Sequence, residues 1–369
     1  MAQEIRSGLY RASIADLVPY EPGKPVEEVQ RELGLERVVK LASNEGPFPP
    51  FPAAVEAIER SARELNRYPD GGVYELRAAL AERHGVAFEE VVVGAGADGV
   101  IDLLSQATLE EGDEIVCGWP SFASYVLDAV KLGATPVKVP LRDHVYDLDA
   151  LLEAVGPRTK LVYVCHPNNP TGTANPRAEL LAFVERLPEH VLCVLDQAYF
   201  EYIDDPEYAD AIEEVFKAGR RVAVLRTFSK IYGLAGLRVG YGIAPADVVA
   251  ATSKVRRAFD VTATAQAAAV ASLGGEEELA RRRELNRAGR ERLGEILRGH
   301  GFESPPSLGN FLYVEVGDGR DMFDRLLRRG VIVRPLAGFG APCAIRVTVG
   351  APDENEFFAE QLAHVLTGA

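Results

Sequence analysis

Lys230 closes the stretch Arg226-Thr227-Phe228-Ser229-Lys230, and a glycine- and alanine-rich segment then leads to Arg238. A lysine set directly after an apolar run, between hydroxyls and small residues, is badly placed for a solvated charge. Lys217 and Lys254, by contrast, sit in ordinary surface contexts. Thr227 and Ser229 offer hydroxyls, and Arg238, eight positions on, offers a planar cation. That combination suits a phosphate dianion, because charge-assisted hydrogen bonds are the strong ones.

Three further strand-end motifs carry chemistry. Asp196-Gln197-Ala198-Tyr199 follows the apolar run Val191–Leu195. A carboxylate at the C-terminal end of a parallel strand faces the usual ligand crevice. Once buried it needs a charged or hydrogen-bonding partner, which a pyridinium nitrogen would supply. Tyr199 can reach a phenolic oxygen on the same ring, while a plain helix N-cap is the plainer use for Asp196. His166-Pro167-Asn168-Asn169-Pro170-Thr171-Gly172 follows Leu161–Cys165 and reads as a rigid turn that can hold an asparagine amide against a ligand. Pro120-Ser121-Phe122 offers an aromatic ring that can stack on a flat ligand or pack in a core.

Gly94, Gly96 and Gly99 stand at G-x-G-x-x-G spacing between a strand and a helix. A dinucleotide site would also want an acid at the end of the next strand. Asp113 and Glu114 lie at the start of that strand, and Trp119-Pro120 follows its end. An NAD-dependent dehydrogenase is therefore the distant alternative. The loop is read as a phosphate cradle made by amides at a helix N-terminus. A lysine, a strand-end carboxylate, an asparagine turn, an aromatic and a phosphate loop together match what pyridoxal 5′-phosphate requires.

The elements that must position these groups are legible. Apolar runs at Val91–Val93, Ile115–Cys117, Leu161–Cys165, Val191–Leu195 and Val222–Leu225 alternate with helical stretches, predicting a mostly parallel sheet buried on both faces. A charged helix over 277–298 precedes a smaller α+β unit, with strands near Phe311–Val316, Val331–Val333 and Ile345–Val349. We expect an N-terminal arm (1–42) packing with the small domain, a large domain (43–265) and a small C-terminal domain (266–369).

With 369 residues the chain is long enough for two domains. Its net charge of −15 argues against a nucleic-acid or anionic-membrane partner. The anion sites must therefore gather their own cations. The four cysteines show no paired spacing, and nothing at the N-terminus reads as a signal peptide, so a reducing cytoplasm is the expected location. The six histidines are dispersed, without metal-ligand spacing.

Taken in order, Pro19–Pro25, Leu41–Glu45, Arg67–Asp70, Gly94–Gly99, Pro120–Phe122, Pro167–Gly172, Asp196–Tyr199, Ser229-Lys230, Arg238, Gly309–Phe311, Val333–Pro335 and Ile345–Val347 span nearly the whole chain. The set resembles the fold-type I pyridoxal-phosphate aminotransferases, and within them the histidinol-phosphate aminotransferase branch. The resemblance implies a seven-stranded-type sheet and a homodimer with shared active sites. Lys230 would form the Schiff base and move the substrate's Cα proton, with Asp196 and Tyr199 as its catalytic companions. Asp196 would pair with the ring nitrogen, Asn169 and Tyr199 would contact the ring oxygen, and Phe122 would stack. The amides of Ala97 and Asp98, with Ser229 and Arg238, would bind the phosphate, and Tyr68 would reach it from the partner subunit. Tyr20, Asn44, Asn310, Arg334 and Arg346 would form the substrate side.

The implied reaction moves an amino group between L-histidinol phosphate and 2-oxoglutarate; an aromatic amino acid aminotransferase of the same fold is the alternative. Four positions depart from the usual pattern of this resemblance. They are Gln197 for Glu, Gly46 for Asn and, in the phosphate loop, Ala97 for Ser and Gly99 for Glu.

Overall fold

The structure is a computed structural model that describes residues 8–15, 17, 19 and 23–368. Its strands, in chain order, are β1 (Val39–Lys40), β2 (Val91–Gly94), β3 (Glu114–Trp119), β4 (Thr135–Pro140), β5 (Thr159–Cys165) and β6 (Leu192–Asp196). They continue with β7 (Val222–Thr227), β8 (Gly240–Ile243), β9 (Phe311–Glu315), β10 (Val331–Ile332), β11 (Arg334–Pro335) and β12 (Ala344–Thr348).

Seven of them form one sheet in the order β2-β8-β7-β6-β5-β3-β4. Strand β8 is antiparallel to both of its neighbours, and the remaining pairs are parallel. The apolar runs become strands because both faces of this sheet are covered: every residue of β2, β6, β7 and β8 is buried. With all strands but β8 pointing one way, the C-terminal ends of β2, β3, β5, β6 and β7 share one edge. The crevice along that edge is where an open α/β sheet binds its ligand.

Two of the seven strands gave no signal in the sequence. β4 carries Pro136, Lys138 and Pro140, residues tolerated because it lies at the sheet edge. β8 contains Gly240 and Gly242 where close approach forbids a side chain. A Cβ on Gly242 would lie 3.0 Å from Val92 Cγ1, and one on Gly240 would lie 2.4 Å from the Ala97 amide nitrogen. The second contact lets the N-terminus of helix Gly96–Thr108 rest directly on the sheet.

A second sheet, β11-β12-β9, is antiparallel, and β1 pairs in parallel with β10. Val29, Val39 and Leu41 from the arm share a hydrophobic cluster with Leu312, Ile345, Phe358 and Leu362. Ala265, Ala268, Ala269 and Leu279 belong to the large-sheet cluster, whereas Leu293, Ile296 and Leu297 belong to the second. The changeover therefore falls inside helix Glu276–Gly299, C-terminal to residue 265.

Candidate active site

The shared strand edge brings the expected residues together. Lys230 emerges just past β7, and its Nζ donates to the Ser43 carbonyl at 3.2 Å. Nζ also stands 5.9 Å from the centre of the Tyr199 ring. Burial lowers its pKa from 10.5 to about 7, and the Arg346 charge pushes the same way. An appreciable share of the amine is then uncharged at neutral pH, the form that can attack a carbonyl.

Asp196, at the end of β6, is 4% exposed. Its Oδ2 accepts the Tyr125 hydroxyl at 2.6 Å and its Oδ1 accepts the Ala198 amide at 3.1 Å. Burial raises its pKa, while the Tyr125 and Ala198 hydrogen bonds oppose that rise. Gln197 points to the other face of the strand, as alternation requires. There Nε2 donates to the Ala209 carbonyl at 2.8 Å and Oε1 accepts from the buried Arg226 at 2.9 Å. Arg226 is held as well by Asp210 at 2.9 Å. The residue at 197 therefore belongs to a buried polar network behind the sheet and leaves the ligand side unchanged.

The asparagine turn places Asn169 with its Oδ1 accepting from Arg346 Nη1. The Arg346 Nη2 donates to the Ala42 carbonyl at 2.8 Å, and the Arg334 Nε donates to the same carbonyl at 3.3 Å. The two arginines face each other across β11 and β12, and both are buried. Asn44, at φ 53°, is a second junction. Its side chain donates to the Tyr199 hydroxyl at 2.8 Å and accepts from Thr348 at 3.1 Å, while its carbonyl accepts from Asn310 at 3.1 Å. His166 is buried and donates no chemistry: burial lowers its pKa to about 4, and it stacks on Tyr208.

At the phosphate end, Ala97 is buried and Asp98 exposed in the first turn of helix Gly96–Thr108. Arg238 Nη1 donates to Ser229 Oγ at 3.2 Å, and Nη2 donates to the Ala95 carbonyl at 3.4 Å. Gly96 has φ 80°, the left-handed region that favours glycine, and a Cβ there would lie 2.7 Å from Arg238 Nη2. Phe122 caps helix Ala123–Lys131 beside Tyr125, edge to face at 5.6 Å.

Tyr68 stands apart from this cluster. It is 80% exposed and stacks on Phe259 at 4.5 Å. Tyr20 lies outside the described residues. Sequence reasoning missed Tyr125 and Thr348. Tyr125 could have been found as the residue one helical turn beyond Phe122, whereas Thr348 has no local signal.

Comparison with known proteins defines the class. The pattern of the family "Aminotransferase class I and II" matches residues 36–362, and the chain belongs to that family. Among its relatives is the histidinol-phosphate aminotransferase of Moorella thermoacetica, 44% identical over 358 residues, covering 96% of this chain and 92% of that one. The aromatic amino acid aminotransferase of Thermobifida fusca is 45% identical over 349 residues, covering 94% of each. Among solved structures, histidinol-phosphate aminotransferase from Sinorhizobium meliloti in complex with pyridoxal-5′-phosphate matches with a TM-score of 0.88 and 30% identity, covering 98% of each chain. The expected fold is thereby established, and the dinucleotide alternative for the Gly94–Gly99 loop falls away.

Proposed function

We propose that this chain transfers an amino group between L-histidinol phosphate and 2-oxoglutarate, giving imidazole acetol phosphate and L-glutamate, with pyridoxal 5′-phosphate as cofactor. The observation that carries the substrate side is the pair of buried guanidiniums, Arg334 and Arg346, gathered on one backbone carbonyl in a chain of net charge −15. Two planar cations suit a phosphate or a carboxylate in turn, as two alternating substrates require. The Moorella thermoacetica relative and the Sinorhizobium meliloti structure support the same substrate by their names.

The residues present fit the cofactor. Asp196 is a buried carboxylate with acceptor positions to spare, which suits a protonated ring nitrogen. The open cradle at Gly96, with Ser229 and Arg238, suits a phosphate. When bound, pyridoxal 5′-phosphate supplies a carbonyl that exchanges for the amino group and a protonated ring that withdraws electrons from the substrate's Cα. Lys230 would hold the cofactor and, once displaced by substrate, take and return the Cα proton. Tyr199, kept protonated by burial and anchored by Asn44, would donate to the ring oxygen. Phe122 would cover the ring and exclude water. Arg346 and Arg334, both bonded to the Ala42 carbonyl, would fix the substrate's distal anion, and Asn44 and Asn310 would line the same side.

The homodimer and the cytoplasmic location belong to the same proposal. The solvent-facing stack of Tyr68 on Phe259 suits burial against a second copy, where Tyr68 would meet the partner's cofactor phosphate. Mixing Lys230→Ala with Tyr68→Ala protein should then restore part of the activity, since one site of each mixed dimer is intact. The four cysteines are free, as a reducing compartment favours. No helix among the described residues is long and apolar enough to cross a membrane.

The deciding experiment compares kcat/KM for L-histidinol phosphate and L-phenylalanine. A clear preference for the phosphate ester supports the reading. Preference for phenylalanine overturns it in favour of the aromatic aminotransferase, the second reading that the Thermobifida fusca relative favours.

A further inference from the structure

We propose that Tyr125 is a positioning residue that keeps the Asp196 carboxylate ionised and aimed at the cofactor's ring nitrogen. This deepens the function proposed above and rests on its reading of Asp196. Three observations converge on Tyr125. Its hydroxyl donates to Asp196 Oδ2 at 2.6 Å, a short contact between two buried groups. Its ring lies flat on Tyr163, with centroids 4.3 Å apart and planes 12° apart. Tyr163 is itself tethered, its hydroxyl 3.1 Å from Ser105 on helix Gly96–Thr108. The phenol is thus packed against β5 through Tyr163, which is itself bonded to helix Gly96–Thr108.

The placement also has a sequence logic. Phe122 caps helix Ala123–Lys131, and Tyr125 follows one turn later on the same side. One short helix therefore supplies both the ring's cover and the donor to the carboxylate beneath it. The ionisable groups that face Asp196 are Tyr125, Tyr163, Cys165, Tyr199, Lys230 and Asp98. Burial holds Tyr125, Tyr163, Cys165 and Tyr199 neutral, so among these four only Tyr125 donates a hydrogen bond to the carboxylate. A proton shared between Asp196 and a ring nitrogen stays on the nitrogen only while the carboxylate is the weaker base. The Tyr125 hydrogen bond secures that order.

The test uses the holoenzyme with Tyr125→Phe, which removes the hydroxyl and leaves the ring to stack on Tyr163. A hydrogen bond to a charged group predicts a rise in the cofactor's dissociation constant and a fall in kcat of about tenfold each. KM for the amino donor should stay within about twofold, because Tyr125 acts through Asp196. The pH dependence of the bound cofactor's absorbance should shift, which lost packing alone would not cause. In an Asp196→Asn background the same change should add little, since the two groups act as one unit. Placing 3-fluorotyrosine at 125 keeps the shape and strengthens the donor, so it should tighten cofactor binding.

Unchanged affinity, kcat and absorbance in Tyr125→Phe, alongside a damaged Asp196→Asn, would overturn the role of Tyr125 alone. An undamaged Asp196→Asn would overturn the reading of Asp196, and this inference with it.

Discussion

The cofactor side and the substrate side of this site are built in different ways. Lys230, Asp196, Asn169, Phe122, Ser229 and the Gly96 cradle all hang from the C-terminal edge of one sheet whose strands are buried. Arg334 and Arg346 come from the small β11-β12-β9 sheet. They meet the rest at the Ala42 carbonyl, which accepts from both, and at the Asn169 turn, whose Oδ1 accepts from Arg346. The first group shares the strands of a single sheet. The second belongs to the smaller sheet and hydrogen-bonds across to the arm and to the asparagine turn. The proposed function therefore draws its chemistry from the large sheet and its substrate contacts from the small one.

Variants on either side should fail in different ways. Lys230→Ala should give the largest effect, a loss of at least about a thousandfold in kcat with the fold retained; circular dichroism and steady-state rates check both halves. Arg346→Ala should come next. Truncating a buried charged group costs roughly 2–5 kcal/mol. That loss should appear in kcat/KM for both anionic substrates, while the bound cofactor's affinity changes less, through the lost hydrogen bond to Asn169. Ser229→Ala should do the reverse and more mildly. Loss of one hydrogen bond worth about 1 kcal/mol should weaken the cofactor about fivefold and leave KM for the amino donor alone.

The smallest effect concerns pH and the cofactor-free protein. Lys230 sheds its proton near pH 7 when folded, against 10.5 for the ordinary amine. Between those values the unfolded chain binds more protons, so this residue makes stability rise with pH across that window. Thermal unfolding of wild type against Lys230→Met should show the wild type's deficit largest below pH 7 and shrinking above it. A deficit independent of pH would show that the amine is not buried as described.

The same contrast governs what the sequence disclosed. The cofactor side was legible because each of its groups sits in a short contiguous motif after an apolar run, as Ser229-Lys230 and Pro167–Gly172 do. The substrate arginines are isolated residues, and only the resemblance to known aminotransferases singled them out. Strand β8 was missed because Gly240 and Gly242 give it no apolar pattern; their value lies in contacts with Ala97 and Val92 made only in three dimensions. Tyr125 was passed over for a related reason. An aromatic on a helix reads as core, and its hydroxyl finds Asp196 across 71 positions of sequence. The significance of Gln197 was likewise hidden until strand alternation placed it with Arg226, away from Asp196.

Single-turnover reaction of the cofactor-loaded protein tests the division most directly, following the bound cofactor's absorbance as L-histidinol phosphate or L-phenylalanine is added to wild type and to Arg334→Ala. The account predicts that wild type reacts faster with the phosphate ester. It also predicts that Arg334→Ala loses that advantage while its reaction with phenylalanine and its starting absorbance hold. Equal rates for both amines in wild type, or a variant that loses both reactions together, would contradict it.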